Sequence, residues 1–118
     1  MKQNLVTIRQ AVALQRLGYD KKNQEAVIPT VDEAIDWIRR NFNIVISNSF
    51  IPFVDPIYKK IMYGFIIKKC NLRDGWNGRK ILGYAKNSFN IYAAKRSAIS
   101  VAIRYIEKEQ KTTKTKKN

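Results

Sequence analysis

Residues 90–110 read NIYAAKRSAISVAIRYIEKEQ, and how this stretch folds decides the architecture of the chain. Ile91, Ala94, Ala98, Val101, Ala102 and Tyr105 recur at steps of three and four, the stripe by which a helix buries one side. Arg96, Ser97, Ser100, Arg104, Glu107 and Lys108 fall on the other side. Asn90 is a suitable N-cap, because its side-chain oxygen can accept from the free amides of the first turn. The small residues Ala94, Ala98 and Ala102 let the helix sit close against a sheet. The rest of the chain is expected to pack on it.

Two shorter helices precede it. Thr7-Ile8-Arg9-Gln10 is a capping box, Ile8, Ala11, Val12, Leu14 and Leu17 form the apolar stripe, and Gly18 is the left-handed stop. A second capping box, Thr30-Val31-Asp32-Glu33, opens a helix whose inward stripe is Val31, Ala34, Ile35, Ile38 and Phe42. Asp32 and Glu33 suit its positive N-terminal end, and Arg39 and Arg40 its negative C-terminal end. Asp36 can pair with Arg40 at the i,i+4 spacing. Trp37 lies at the edge of the stripe.

From Asn43 the period changes to two. Ile44 and Ile46 alternate with Val45 and Ser47 in a short strand, and Pro52 and Pro56 make residues 49–57 a loop or a sheet edge. Ile61, Tyr63, Phe65 and Ile67 alternate with Lys60, Met62, Gly64, Ile66 and Lys68 as the clearest strand. Asp74-Gly75 and Asn77-Gly78 are turn dipeptides. Ile81, Leu82, Tyr84 and Ala85 make a third strand. The order α-α-β-β-β-α predicts a two-layer α+β domain over residues 1–110, with a three-stranded antiparallel sheet and helices packed on one face. Residues 111–118, lysine-rich and without an apolar side chain, are expected to form a disordered tail.

Charge is unevenly spread. The chain of 118 residues carries 23 basic and 9 acidic side chains, a net charge of +14. Residues 1–57 hold seven Lys/Arg against six Asp/Glu, whereas residues 58–118 hold sixteen against three. A field of that sign attracts phosphate backbones, anionic lipid or an acidic protein surface; the plainer alternative is that it keeps a small protein soluble. MKQNLVTIRQ contains no apolar signal-peptide core, and the longest apolar run, Ile61 to Ile67, is too short to span a bilayer. A lone cysteine cannot form an internal disulfide. A cytoplasmic location is the expectation.

Little in the chain suggests catalysis. There is no histidine, which removes the usual general base, zinc ligand and triad member. Cys70 reads as a small apolar residue ending a strand, with a thiolate activated by Lys68, Lys69 and Arg73 as the alternative. Asp32 and Asp36 share a helix face but are explained by helix-end charge and solvation. Asp55 and Asp74 are isolated loop acids. Gly75 and Gly78 lack the strand and helix of a phosphate loop. A non-enzymatic chain without metal or cofactor is expected.

What remains is a basic, aromatic-interleaved surface. Lys59, Lys60, Lys68 and Lys69 edge the second strand, Arg73, Arg79 and Lys80 flank the Gly-rich turns, and Lys86, Lys95 and Arg96 add charge nearby. Such a surface binds nucleic acid, DNA or RNA, through phosphates, with salt sensitivity and little sequence preference. Trp76, between the turns, either stacks on a base or fills a partner's pocket, or else folds back over the sheet edge. The rival readings are a module docking on an acidic host protein and a minor virion component. Membrane-surface binding ranks last, because the terminal helix turns its apolar side inward.

TIRQAVALQRLGYD (7–20), PTVDEAIDWIR (29–39), Asn43-Ile44-Val45-Ile46 and the closing AIRYIEK occur in an order that resembles a group of small, uncharacterised proteins of Bacteroidetes phages and mobile elements. The resemblance covers nearly the whole chain and implies a viral origin in a bacterial host rather than a mechanism. The basic 70–79 loop and the lysine tail depart from it. From Val31 onward, the order helix, three strands, helix is also similar to a double-stranded RNA-binding domain, which implies shape-based phosphate and 2′-hydroxyl contacts. Where that family places a lysine pair at the start of the last helix, this chain has Ile91 and Tyr92.

Overall fold

The computed structural model describes residues 4–19, 28–70 and 80–116, with side chains to residue 111. In chain order the elements are α1 (Ile8–Arg16), α2 (Val31–Phe42), β1 (Ile44–Asn48), β2 (Phe53–Val54), β3 (Ile61–Met62), β4 (Phe65–Lys69), β5 (Lys80–Tyr84) and α3 (Ile91–Lys116). Strands β1, β4 and β5 form a three-stranded antiparallel sheet with β4 in the centre, and β2 and β3 form a separate two-stranded ribbon. Helices α2 and α3 lie on one face of the sheet, and α1 packs on α3. The fold is α+β, as expected.

Both capping boxes form. Thr7 accepts from the Gln10 amide at 3.1 Å while the Gln10 side chain accepts from the Thr7 amide at 3.0 Å, and Thr30 and Glu33 repeat the exchange at 3.1 Å each. Helix α2 ends on Asn43, left-handed at φ 57°, a conformation whose strain Asn tolerates better than most residues. The Asn43 carbonyl then accepts from the Cys70 amide at 2.8 Å, so the end of α2 is tied to the end of β4. Asn90 caps α3 by accepting from Tyr92 and Ala93.

Helix α3 buries more than the stripe expected of it. Ala94, Ala98 and Ala102 are fully buried, but Ile99, Ile103 and Ile106 are buried too, around the cylinder from the Val101–Tyr105 side. The helix is covered twice, by the sheet and by α1 and α2, and a helix between two layers needs a wider apolar arc than one lying on a surface. Arg96 and Ser100, expected in solvent, are covered by α1. The buried Gln10 amide donates to the Arg96 carbonyl at 2.6 Å and to Ser100 Oγ at 2.7 Å. The backbone of α3 stays helical to Lys116, past residue 110 where a tail was expected to begin. No Gly or Pro interrupts residues 111–116, and each residue added to an existing helix gains a hydrogen bond.

The expected strand 61–68 is broken in two. Ile61 and Met62 pair with β2, and pairing resumes with β1 and β5 only at Phe65. The break is at Gly64, where a Cβ would collide with the Phe50 ring and lie 2.8 Å from Asn87 Oδ1. Phe50 therefore fills the space that a side chain at 64 would take. Residues 49–57, expected to form a loop or a sheet edge, are loop apart from Phe53 and Val54, which form the edge strand β2.

A candidate basic surface

Register sorts the strand side chains between the two faces of the sheet. Ile44, Phe65, Ile67 and Gly83 face the helices; a Cβ on Gly83 would lie 3.1 Å from Val101 Cγ1. Since side chains alternate along a strand and paired residues share a face, the open face carries two rows. One is Ser47, Ile66 and Tyr84, with Ile66 itself buried, and the other Val45, Lys68 and Ile81. Tyr84 is 62% exposed beside this lysine row.

The expected site residues fall into three groups. Lys69, Lys95 and Arg96 are committed to the framework. Lys69 Nζ lies 3.1 Å from Glu109 Oε1 and 5.9 Å from the centre of the Tyr105 ring. Lys95 Nζ pairs with Asp32 Oδ1 at 2.8 Å, with its side chain only 19% exposed. Arg96 donates to the Leu5 carbonyl at 3.3 Å, holding residues 4–6 against α3. Lys59, Lys60, Lys68, Lys80 and Lys86 have no carboxylate partner among the described residues. Lys59 and Lys60 end the ribbon, Lys68 is on the open face, Lys80 starts β5 and Lys86 follows it. Arg73, Trp76 and Arg79 lie outside the described residues.

A second concentration of charge lies between α1 and α3, in a groove of about 580 Å³. Arg9, Arg104, Lys108 and Lys111 line it, with Glu107 as its one carboxylate. Gln10 and Ser100, bonded to each other, sit at its base. Arg104 and Lys108 stand out on the helix in sequence, but Arg9 and Lys111 do not. What brings the four together is the docking of α1 on α3, signalled in sequence only by the polar Gln10 within an apolar stripe.

The described acids are mostly used internally. Asp32 pairs with Lys95 and Glu109 with Lys69, while Glu33 caps α2. Asp36 accepts from Arg39 at 2.8 Å and from Arg40 at 2.9 Å. The hydrogen bond from Arg39, with the adjacent Arg40 charge, holds the Asp36 carboxyl below the ordinary 3.8. Asp55 accepts from the amides of Ile57 and Tyr58. Burial, with the Glu109 carboxylate beside it, raises the Tyr105 phenol above 10.0.

Among the described residues no group of three or more Cys, Asp and Glu side chains could hold a metal ion, and no helix is long and apolar enough to cross a membrane. No protein-family profile matches the chain, and no match was found among curated proteins or solved structures.

Proposed function

We propose that the chain is a non-enzymatic, phage-type accessory protein that acts in a bacterial cytoplasm or virion and binds DNA or RNA through phosphate contacts. The observation that carries this reading is the imbalance left after internal pairing. Of the six described acids, Glu107 alone has no partner among the ion pairs, caps and turns above. Lys59, Lys60, Lys68, Lys80, Lys86, Arg9 and Arg104 are left without a carboxylate partner among the described residues. Unneutralised cations release the counterions of a phosphate backbone and so favour salt-sensitive association.

The groove between α1 and α3 is a concave track for such a backbone, and guanidinium groups such as those of Arg9 and Arg104 grip phosphate bidentately. Tyr84, exposed on the open face beside the Lys68 row, is a surface on which an unpaired base can stack. The test is fluorescence anisotropy with random-sequence duplex and single-stranded DNA and RNA at low salt. Arg9→Glu with Arg104→Glu should weaken binding at least tenfold if the groove is the track, and Lys68→Glu should do so if the open face is. Lys95→Ala, which removes a cation already paired with Asp32, should change affinity far less. Equal loss from all three substitutions would refute a localised surface.

A further inference from the structure

The groove between α1 and α3 continues beyond its wider part. A second cavity of about 190 Å³ shares Ala13, Glu107 and Lys111 with the first, so the two form one furrow. Gln10 meets Ser100 at one end, and Arg16 shares the other with Gln110 and Lys111, so the two helices run parallel. Arg9 and Arg104 line the wider part; Arg16 lines the narrower, with Lys111 reaching both. Arg9 and Arg16 on α1, like Arg104 and Lys111 on α3, are seven residues apart, which is about 10 Å at a rise of ~1.5 Å per residue. Two pairs of cations therefore flank the furrow, two helical turns apart.

Between the pairs lie Ala13 on α1 and Glu107 on α3, both lining both cavities. Ala13 is buried and small, which leaves room opposite the carboxylate. The Glu107 side chain takes part in none of the ion pairs or hydrogen bonds among the described residues, although Arg104, Lys108 and Lys111 are within four positions of it. A carboxylate midway along a row of phosphates repels them. It needs a group that donates.

We propose that this furrow takes an unpaired strand of DNA or RNA, with phosphates at the two cation pairs and a guanine at Glu107. The proposal rests on the phosphate-binding reading above and adds the form of the strand and a base. About 10 Å spans roughly three nucleotides of a strand whose charges recur every ~3.4 Å. Packed helices stand about 8–10 Å apart between axes, so the furrow between them admits one strand. A duplex, whose major groove alone is about 12 Å wide, rests across the rim. Only an unpaired strand can also turn a Watson–Crick edge to Glu107. Guanine sets N1–H and its N2 amine side by side on that edge, two donors for the two oxygens of one carboxylate. Cytosine and adenine set one amine beside a ring-nitrogen acceptor, and thymine or uracil sets its single N–H between two carbonyls, acceptors that a carboxylate repels.

Fluorescence anisotropy at low salt tests both parts, using an oligothymidylate, the same strand carrying isolated guanines, and each annealed to its complement. The wild type should bind the guanine-bearing strand about tenfold tighter than oligothymidylate, the discrimination expected of one bidentate base contact, and tighter than either duplex. Glu107→Gln keeps the size of the side chain and removes its charge. It should bind oligothymidylate at least as tightly as the wild type and lose the guanine preference, with unchanged far-UV circular dichroism. Arg16→Glu should weaken binding of the single strands more than that of the duplexes. Single strands bound no tighter than duplexes, or a guanine preference that survives Glu107→Gln, overturns the inference. Salt-sensitive binding of all four alike overturns it while leaving the phosphate reading intact; no binding to any of them removes both.

Discussion

Gln10 does two jobs that a single polar residue in an apolar stripe only hints at. Its carbonyl end closes the first capping box, and its amide end is buried against α3, where it satisfies the Arg96 carbonyl and Ser100 Oγ. Gln10→Ala should therefore destabilise the fold by about 1–3 kcal/mol, as removing a buried hydrogen-bonding group does, measured by urea unfolding. Gly64 is fixed by the Phe50 ring, so Gly64→Ala should lower stability by about 1–3 kcal/mol by overpacking. The same substitution should be milder in a Phe50→Ala background. Tyr105 gives a pH dependence whose sign follows from its environment. Its folded phenol titrates above the unfolded 10.0, so the stabilisation is complete below pH 10 and is lost as pH rises through the folded value. Tyr105→Phe should remove that alkaline loss, seen as a flatter melting-temperature profile between pH 9 and pH 11.

At the scale of elements, local chemistry was legible and docking was not. Thr7-Gln10, Thr30-Glu33 and Asn90 act over three residues or fewer, so their caps could be read directly. The three strands of the main sheet are where alternation places them. The sequence overstated the strand at 61–68, because its alternation continues through Gly64 and only the distant Phe50 ring makes that glycine a break. It understated the buried arc of α3, since Ile99, Ile103 and Ile106 are covered by helices whose docking no local pattern encodes. The Arg96 and Lys95 assignments shifted for the same reason, their partners lying 91 and 63 positions away. At the end of α2, the left-handed Asn43 joins two elements. Asn43→Ala should cost about 1 kcal/mol and Asn43→Gly little or nothing, distinguishable by thermal unfolding.

The whole molecule separates two kinds of surface. Its radius of gyration, 15.6 Å, exceeds the ~13.5 Å of a compact chain of this length, in keeping with a long α3 and a ribbon outside the main sheet. The ribbon exposes six of the ten large apolar side chains left exposed among the described residues, while Arg9 and Arg104 in the α1–α3 groove and Lys68 on the open sheet face have no carboxylate partner among them. The net charge of +14 could be read at once from composition; that Lys69, Lys95 and Arg96 are spent on the framework could not.

The most direct measurement is the affinity of the full chain for random-sequence duplex at 50 and 200 mM salt. Phosphate contacts at the unpaired cations require binding at 50 mM that falls about a hundredfold or more at 200 mM. No binding at 50 mM, or an affinity unchanged between the two, would contradict them.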